Sequence, residues 1–375
     1  MLNTTINRIT FATVLAAFVA LCAAALPAAA SARTGAIVFS LVKTTHPAEV
    51  EGKAVEPKAP EGGLYASREG RLNQLTEDPA DSEPAFSADG HTIAFVRNGD
   101  VWAMRADGSG QRQLTSGSEI DGRPLVSPNG RYVLYERRAS AGAPRDLYTV
   151  RVGGSAAHQV TASPDDDHEA SISPDGCTID FVRSTPETGG GTADDIYSMR
   201  PAGIRLRRLT RTARIDEFAP RNLDETVLFS RGESSEGPSS FADIYKMDED
   251  GKKVRKVIAG AGSSYVEDAT ASGRTLLFRR DQGLWVKRLG GKGRKLAELP
   301  DQSQTNAVFS SDGRQVAVFT ADKEEQSLSV IDVSTGRRAY TEVVGSFGGE
   351  VTTAITSLSY AVRHCTRRRH DDSVS

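Results

Sequence analysis

Short runs of alternating apolar and polar residues, broken by clusters of Ser, Pro, Asp and Gly, recur along the chain from Ala36 onward. "AFSADGHTIAFV" begins at Ala85, "LVSPNGRYVLYE" at Leu125, "SISPDGCTIDFV" at Ser171 and "VFSSDGRQVAVF" at Val308. Each reads as a strand, a tight turn and a second β-rich strand. The turns fall at 87–90, 127–130, 173–176, 222–225, 270–273 and 310–313, at intervals of forty-odd residues. Each is followed by a β-rich run, "TIAFV", "YVLYE", "TIDFV", "TVLFS", "TLLFR" or "QVAVF". A third segment then pairs an apolar residue with an aromatic: Val101-Trp102, Leu147-Tyr148, Ile196-Tyr197, Ile244-Tyr245 and Leu284-Trp285, with Leu328-Ser329 departing from the pattern. A fourth ends in Leu-Thr or Val-Thr, at Thr115, Thr161 and Thr210. The alternation is that of half-buried strands, and no amphipathic helical period appears beyond the first thirty-odd residues.

Four short strands per repeat make one blade of a β-propeller. The first repeat opens in its middle: "AIVFS" from Ala36 matches a second strand, "GLYAS" from Gly63 a third and "LNQLT" from Leu72 a fourth. The missing first strand is matched by "TTAITSLSYAV" at 352–362, which falls where the next first strand is due. We therefore expect an all-β propeller over 33–362, of seven four-stranded blades, or six if the last segment packs elsewhere. In this arrangement N- and C-terminal strands share one blade, and the shared blade removes an open sheet edge that would template aggregation.

The ends add a compartment. Arg8, an uncharged apolar run from Phe11 to Leu26, Pro27 and small residues through Ala30, Ser31 and Ala32 have the order of a secretory signal peptide. Residues 1–32 are expected to be that leader, cleaved after Ala30 or Ala32; the run is short and wrongly flanked for a membrane span, and an uncleaved anchor is the alternative. Leu21 before Cys22 is bulkier than a lipoprotein signal wants. The predicted location is extracytoplasmic: secreted, periplasmic or at the cell envelope, with no transmembrane helix after cleavage. Losing Arg8 takes Lys+Arg from 46 to 45 against 49 Asp+Glu, a balance that excludes a nucleic-acid partner held by a basic footprint. Cys177 and Cys365 would remain, either paired or as one buried thiol and one tail thiol, without CxxC or metal spacing. The tail 363–375 reads as disordered and basic, then acidic.

The repeated phrase resembles the WD40-like repeat of TolB-type β-propellers. It is carried by Asp81, Pro84, Phe86, Asp89, Gly90, Ile93, Phe95, Asp100, Trp102, Met104, Asp107, Gly108, Leu114 and Thr115. It returns in Asp167, Ser173, Pro174, Asp175, Gly176, Ile179, Phe181, Asp195, Ile196, Tyr197 and Met199. The resemblance covers nearly all of the chain after the leader. It implies the propeller fold, which serves periplasmic binding proteins, peptidase-gating domains and a few lyases. TolB-type proteins also carry an N-terminal α/β domain, for which the stretch between leader and first strong repeat is expected to leave no room.

The motifs of catalysis are incomplete or scattered along the chain. No G-x-S-x-G elbow is present; "GGSAA" from Gly153 lacks its last Gly and lies between strands. His46, His91, His158, His168, His364 and His370 are scattered, with His168 alone on an approach to an inner strand and read as a solvated loop residue. Asp165, Asp166 and Asp167, with Glu169, lack the spacing of an EF-hand calcium loop. Asp89, Asn129, Asp175 and Asp312 occupy one turn position, where the side chain bonds its own backbone. The expectation was therefore a non-enzymatic protein with no catalytic residues, metal or cofactor.

Recognition is expected on loops. The turns entering the first strands line the channel mouth and supply Asp81, Glu83, Asp121, Arg123, Asp167, His168, Glu169, Asp216, Glu217, Glu267 and Asp268 as the candidate binding face. Their acidic bias favours a basic or amine-bearing partner, although Asp81, Asp121, Asp167 and Asp216 were expected chiefly to cap loop backbone. The function predicted is a TolB-like binding scaffold for a protein, peptide or glycan of the cell envelope, with exposed aromatics such as Phe241 or Tyr265. The alternatives are a channel-site lyase or hydrolase, and a structural module of an envelope complex.

Overall fold

The computed structural model describes residues 37–43, 61–68, 71–186, 192–212, 215–223, 225–233, 242–258, 263–270, 273–300, 304–310, 313–321, 325–346 and 351–355. The expected leader, Phe241, Cys365 and the tail lie outside the described residues. Every regular element among them is a strand, and none is a helix long and apolar enough to cross a membrane.

The strands form seven four-stranded antiparallel sheets, so seven is the blade number. Six use consecutive strands, as in blade 2: Asp81–Phe86, Thr92–Arg97, Asp100–Arg105 and Arg112–Gln113. Blade 1 is composite: Val351–Ile355 lies beside Ile37–Lys43, followed by Glu61–Arg68 and Arg71–Gln74. The pairing runs from Phe39 opposite Ile355 to Lys43 opposite Val351. The closing strand thus sits where the repeat placed it, one residue earlier at its start, and residues beyond 355 lie outside the described set.

Packing closes the same ring. The apolar core is seven clusters, each formed by two neighbouring blades. Phe39 of blade 1 packs with Phe319 and Leu328 of blade 7, while Val38 and Leu64 pack with Phe95 and Ile93 of blade 2. Second strands, being central in each blade, bury both faces; Ile93, Ala94 and Phe95 are all fully buried.

Local chemistry explains the repeated letters. In blade 2 Ser87 Oγ donates to Asp89 Oδ1 at 2.6 Å, and the amides of His91 and Thr92 donate back to Asp89 and Ser87 at 3.0 and 2.9 Å. Gly90 takes φ +70° there, a conformation that a Cβ disfavours. The Thr that follows the fourth strand in blades 1 to 4 has a backbone task too. The Oγ1 of Thr76, Thr115, Thr161 and Thr210 accepts the amide of Leu64, Val101, Leu147 and Ile196 at 2.8 to 2.9 Å, satisfying a buried donor on the third strand.

Candidate channel-mouth site

The acidic residues entering the first strands are mostly not free to meet a ligand. Asp81 is fully buried and receives Arg97 Nε at 2.5 Å and Nη2 at 2.7 Å. Asp121 receives Arg137 at 2.6 and 2.8 Å, and Asp167 receives Arg183 at 2.6 and 2.7 Å. Glu217 pairs with Arg231 at 2.9 Å, and Glu267 with Arg279. The guanidiniums of Arg97, Arg137 and Arg183 are pushed above their ordinary value by the carboxylate hydrogen bonds. Burial pushes the Asp167, Glu217 and Glu267 carboxyls up.

Each arginine also lies over aromatic rings. Arg137 stands 5.4 Å from the Tyr135 centroid and 5.0 Å from Tyr148, Arg183 at 5.7 and 4.8 Å from Phe181 and Tyr197, and Arg231 at 5.3 and 4.7 Å from Phe229 and Tyr245. The third-strand aromatic therefore packs against the second-strand ring and under the cation. Asp81, Asp121 and Asp167, expected to cap loop backbone, instead bind arginine, because the second strand runs one residue past "FV", "YE" or "FV" to a basic residue facing them. The signal was available in the acid-to-arginine spacing, which is 16 residues in each of these three blades.

Two positions further, the first strands bulge. Glu83, Arg123, Glu169 and Ala219 take φ of +50°, +48°, +52° and +51°, where the ladder slips register. Their carboxylates tie blade to blade. Glu83 accepts the Arg123 amide, Glu169 Oε2 the Ala219 amide at 2.8 Å, and Glu136 Oε1 the Glu169 amide at 2.8 Å. Asp268 does the same for Phe309, at 2.8 Å, and Glu267 takes the Ala307 amide.

What remains exposed gathers at blades 3 to 5. The Arg123 side chain is 53% exposed, with Nη1 3.9 Å from both Glu136 and Glu169. Asp166 holds Arg145 at 2.6 Å, and the Asp194 amide donates to Asp216 at 3.3 Å. The Asp194 carboxyl is pushed up by burial and then by the neighbouring carboxylates of Asp216, Glu169 and Asp166. His168 is buried rather than solvated, with Nε2 2.9 Å from Ser184 Oγ, which in turn donates to Asp194. Burial and the Arg145 charge hold the imidazole down at about 4, so it is neutral near pH 7 and a weak proton acceptor; the chain fixes Asp194 rather than relaying protons. Tyr265, expected as an exposed aromatic, is half-buried, its ring tilted against Phe218 with centroids 6.0 Å apart. Among the described residues no cluster of His, Cys, Asp and Glu has the arrangement of a metal site.

Seven blades around a channel, tied by carboxylate-to-amide contacts, define a β-propeller. Solved propellers of several kinds, TolB among them, share this fold at low sequence identity. TolB from Acinetobacter baumannii matches at 15% identity over 86% of this chain and 82% of that one, with TM-score 0.52. An oligogalacturonate lyase in complex with manganese matches at 16% identity over 82% and 85%, TM-score 0.57. A puromycin-hydrolysing peptidase of Mycobacterium tuberculosis matches at 14% identity over 75% of this chain and 49% of that one, TM-score 0.58. No protein-family model matches the chain. The expectation that the chain is not an enzyme is overturned by these neighbours: a lyase and a peptidase share the fold, so missing elbow and histidine motifs do not exclude activity, which resides in sites grafted onto a scaffold.

Proposed function

We propose that the chain is an extracytoplasmic TolB-like propeller that binds a protein or peptide partner at the channel mouth of blades 3 to 5. The partner's cationic group, a Lys or Arg side chain or an amino terminus, sits against Asp194 and Asp216, with Glu169 beside them. The observation that carries this reading is the placement of two half-buried carboxylates side by side, the Asp194 amide donating to Asp216 at 3.3 Å; burial and then the neighbouring acids raise the Asp194 carboxyl, and a cation placed there offsets the repulsion. Exposed Arg123, on the blade 3 side, offers a partner carboxylate a place beside that acidic group. The extracytoplasmic part rests on the leader-like order of residues 1–32.

Titration calorimetry with a Lys- and Arg-containing hexapeptide tests it. Binding should weaken about tenfold in Asp194→Asn/Asp216→Asn, as expected for removing charges near a partly exposed cation. Equal affinity of the variant, or preference for an acidic peptide of the same length, would refute the assignment.

A further inference from the structure

Among the described residues the exposed large apolar side chains are Ile204 at 56%, Leu206 at 48% and Val254 at 41%. All lie in the turns between third and fourth strands of blades 4 and 5, which adjoin. Arg207 of the blade 4 turn pairs with Asp250 and donates to the Glu249 carbonyl of the blade 5 turn. A Cβ on Gly251 would stand 2.6 Å from the Leu209 carbonyl oxygen, so the two hairpins touch.

Turn geometry does not require these residue types. In blade 2 the same turn closes with the Arg105 amide on the Ser109 carbonyl at 2.9 Å and then Gly110 at φ +67°. Blade 4 closes with Arg200 on Ile204, followed by Arg205 at φ +60°, and blade 5 with Asp248 on Lys252, followed by Lys253 at φ +55°. Polar Ser109-Gly110-Gln111 is thus replaced by Ile204-Arg205-Leu206 and Lys252-Lys253-Val254. A cation occupies a left-handed position that glycine fills without strain.

The two turns, 200–208 and 248–256, hold eight Lys and Arg against three Asp and Glu, a local charge of +5 in a chain of net −3. Arg200, Arg205, Lys252 and Arg255 are exposed and have no acidic partner among the described residues. These turns share a propeller face with the first-to-second-strand turns, to which the Ala106-to-His91 and Val152-to-Arg131 backbone bonds tie their counterparts in blades 2 and 3. That face is opposite the channel mouth.

We propose that the hairpin tips of blades 4 and 5 dock the propeller on an anionic phospholipid bilayer, with Ile204, Leu206 and Val254 entering the interface and the surrounding Lys and Arg meeting lipid phosphates. Aliphatic tips with a cationic collar suit the interfacial layer of a membrane. Among the described residues of these turns there is no aromatic side chain of the kind that anchors most protein interfaces. Docking this way leaves the acidic mouth facing away from the lipid.

The test is co-sedimentation of the full chain with phosphatidylcholine vesicles, with and without phosphatidylglycerol. The parent, Ile204→Ser/Leu206→Ser/Val254→Ser and Arg205→Gln/Arg255→Gln all share the same N-terminal apolar run, so the readout is the difference between them. The parent should prefer the anionic vesicles. The charge variant should partition about 30-fold more weakly, from about fivefold per cation for two cations, and the apolar variant at least about tenfold more weakly, with melting temperatures unchanged. Equal partition of parent and variants, or no preference for phosphatidylglycerol, would overturn the proposal. So would capture by immobilised polyglutamate without vesicle binding, which would reassign the patch to an acidic protein.

Discussion

Asp180 occupies a second-strand position where the other blades place Ala94, Leu134, Leu228, Leu277 and Ala317. It is fully buried between blades 4 and 5, receives Asn222 Nδ2 at 2.6 Å and the Ser198 hydroxyl, and leaves Oδ1 without a partner. Burial raises its carboxyl from 3.8 to about 6. The folded chain therefore holds a proton that the unfolded chain releases between those values, so stability falls as pH rises through that window and is flat above it. A rise of roughly two units corresponds to about 3 kcal/mol at 1.36 kcal/mol per unit. Asp180→Asn keeps the shape and an acceptor for Asn222 while removing the charge. It should be more stable than the parent by about 3 kcal/mol at pH 8, with the gap closing toward zero at pH 4. Urea unfolding of both chains from pH 4 to 8 measures this, and the other buried carboxylates cancel in the difference. A gap that does not vary with pH, or a parent more stable at pH 8, would show that Asp180 is charged and satisfied in the fold.

Arg137→Met should cost about 3 to 5 kcal/mol because it leaves buried Asp121 without its partner, whereas adding Asp121→Leu should restore much of the loss; a denaturation double-mutant cycle reads both, and simple additivity would count against a buried pair. Truncation after 346, which removes the closing strand, leaves Ile37–Lys43 as an open edge while the blade 1 to blade 7 core persists. The truncated chain should stay folded by circular dichroism and aggregate in light scattering; a monodisperse product would show that this edge needs no cover.

Blade number, strand order and the composite blade were legible because each rests on local chemistry. A Ser-x-Asp-Gly turn must bond its own backbone, and a period-2 pattern must bury one face, so both announce themselves in short windows. The candidate site was less legible. Asp81, Asp121 and Asp167 were correctly placed at the entries to first strands, but their partners Arg97, Arg137 and Arg183 sit at the far end of another strand. A carboxylate read alone looks available; only register reveals that its charge is already matched. His168 went astray for the same reason, since "DDDHEA" looks solvated until Ser184 and the neighbouring blade cover the ring.

The matched charges also explain how a mouth lined by acids can keep a localised recognition site. Where Asp81, Asp121, Asp167 and Glu217 bind arginines clamped over aromatic pairs, the field of each acid is cancelled within about one Debye length. Bulge residues spend their carboxylates on the next blade's amides, which fixes blade spacing and partly neutralises them too. Net negative field then survives best where no arginine clamps the acid, at Asp194 and Asp216, and blade 5 has no bulge carboxylate of its own, Ala219 standing where Glu83 and Glu169 stand in blades 2 and 4. Asp194 and Asp216 lie at that interruption, with Glu169 and Asp166 beside them. The same repeat that makes the ring rigid thus silences most of its charges, and the departures from the repeat are where a partner is met.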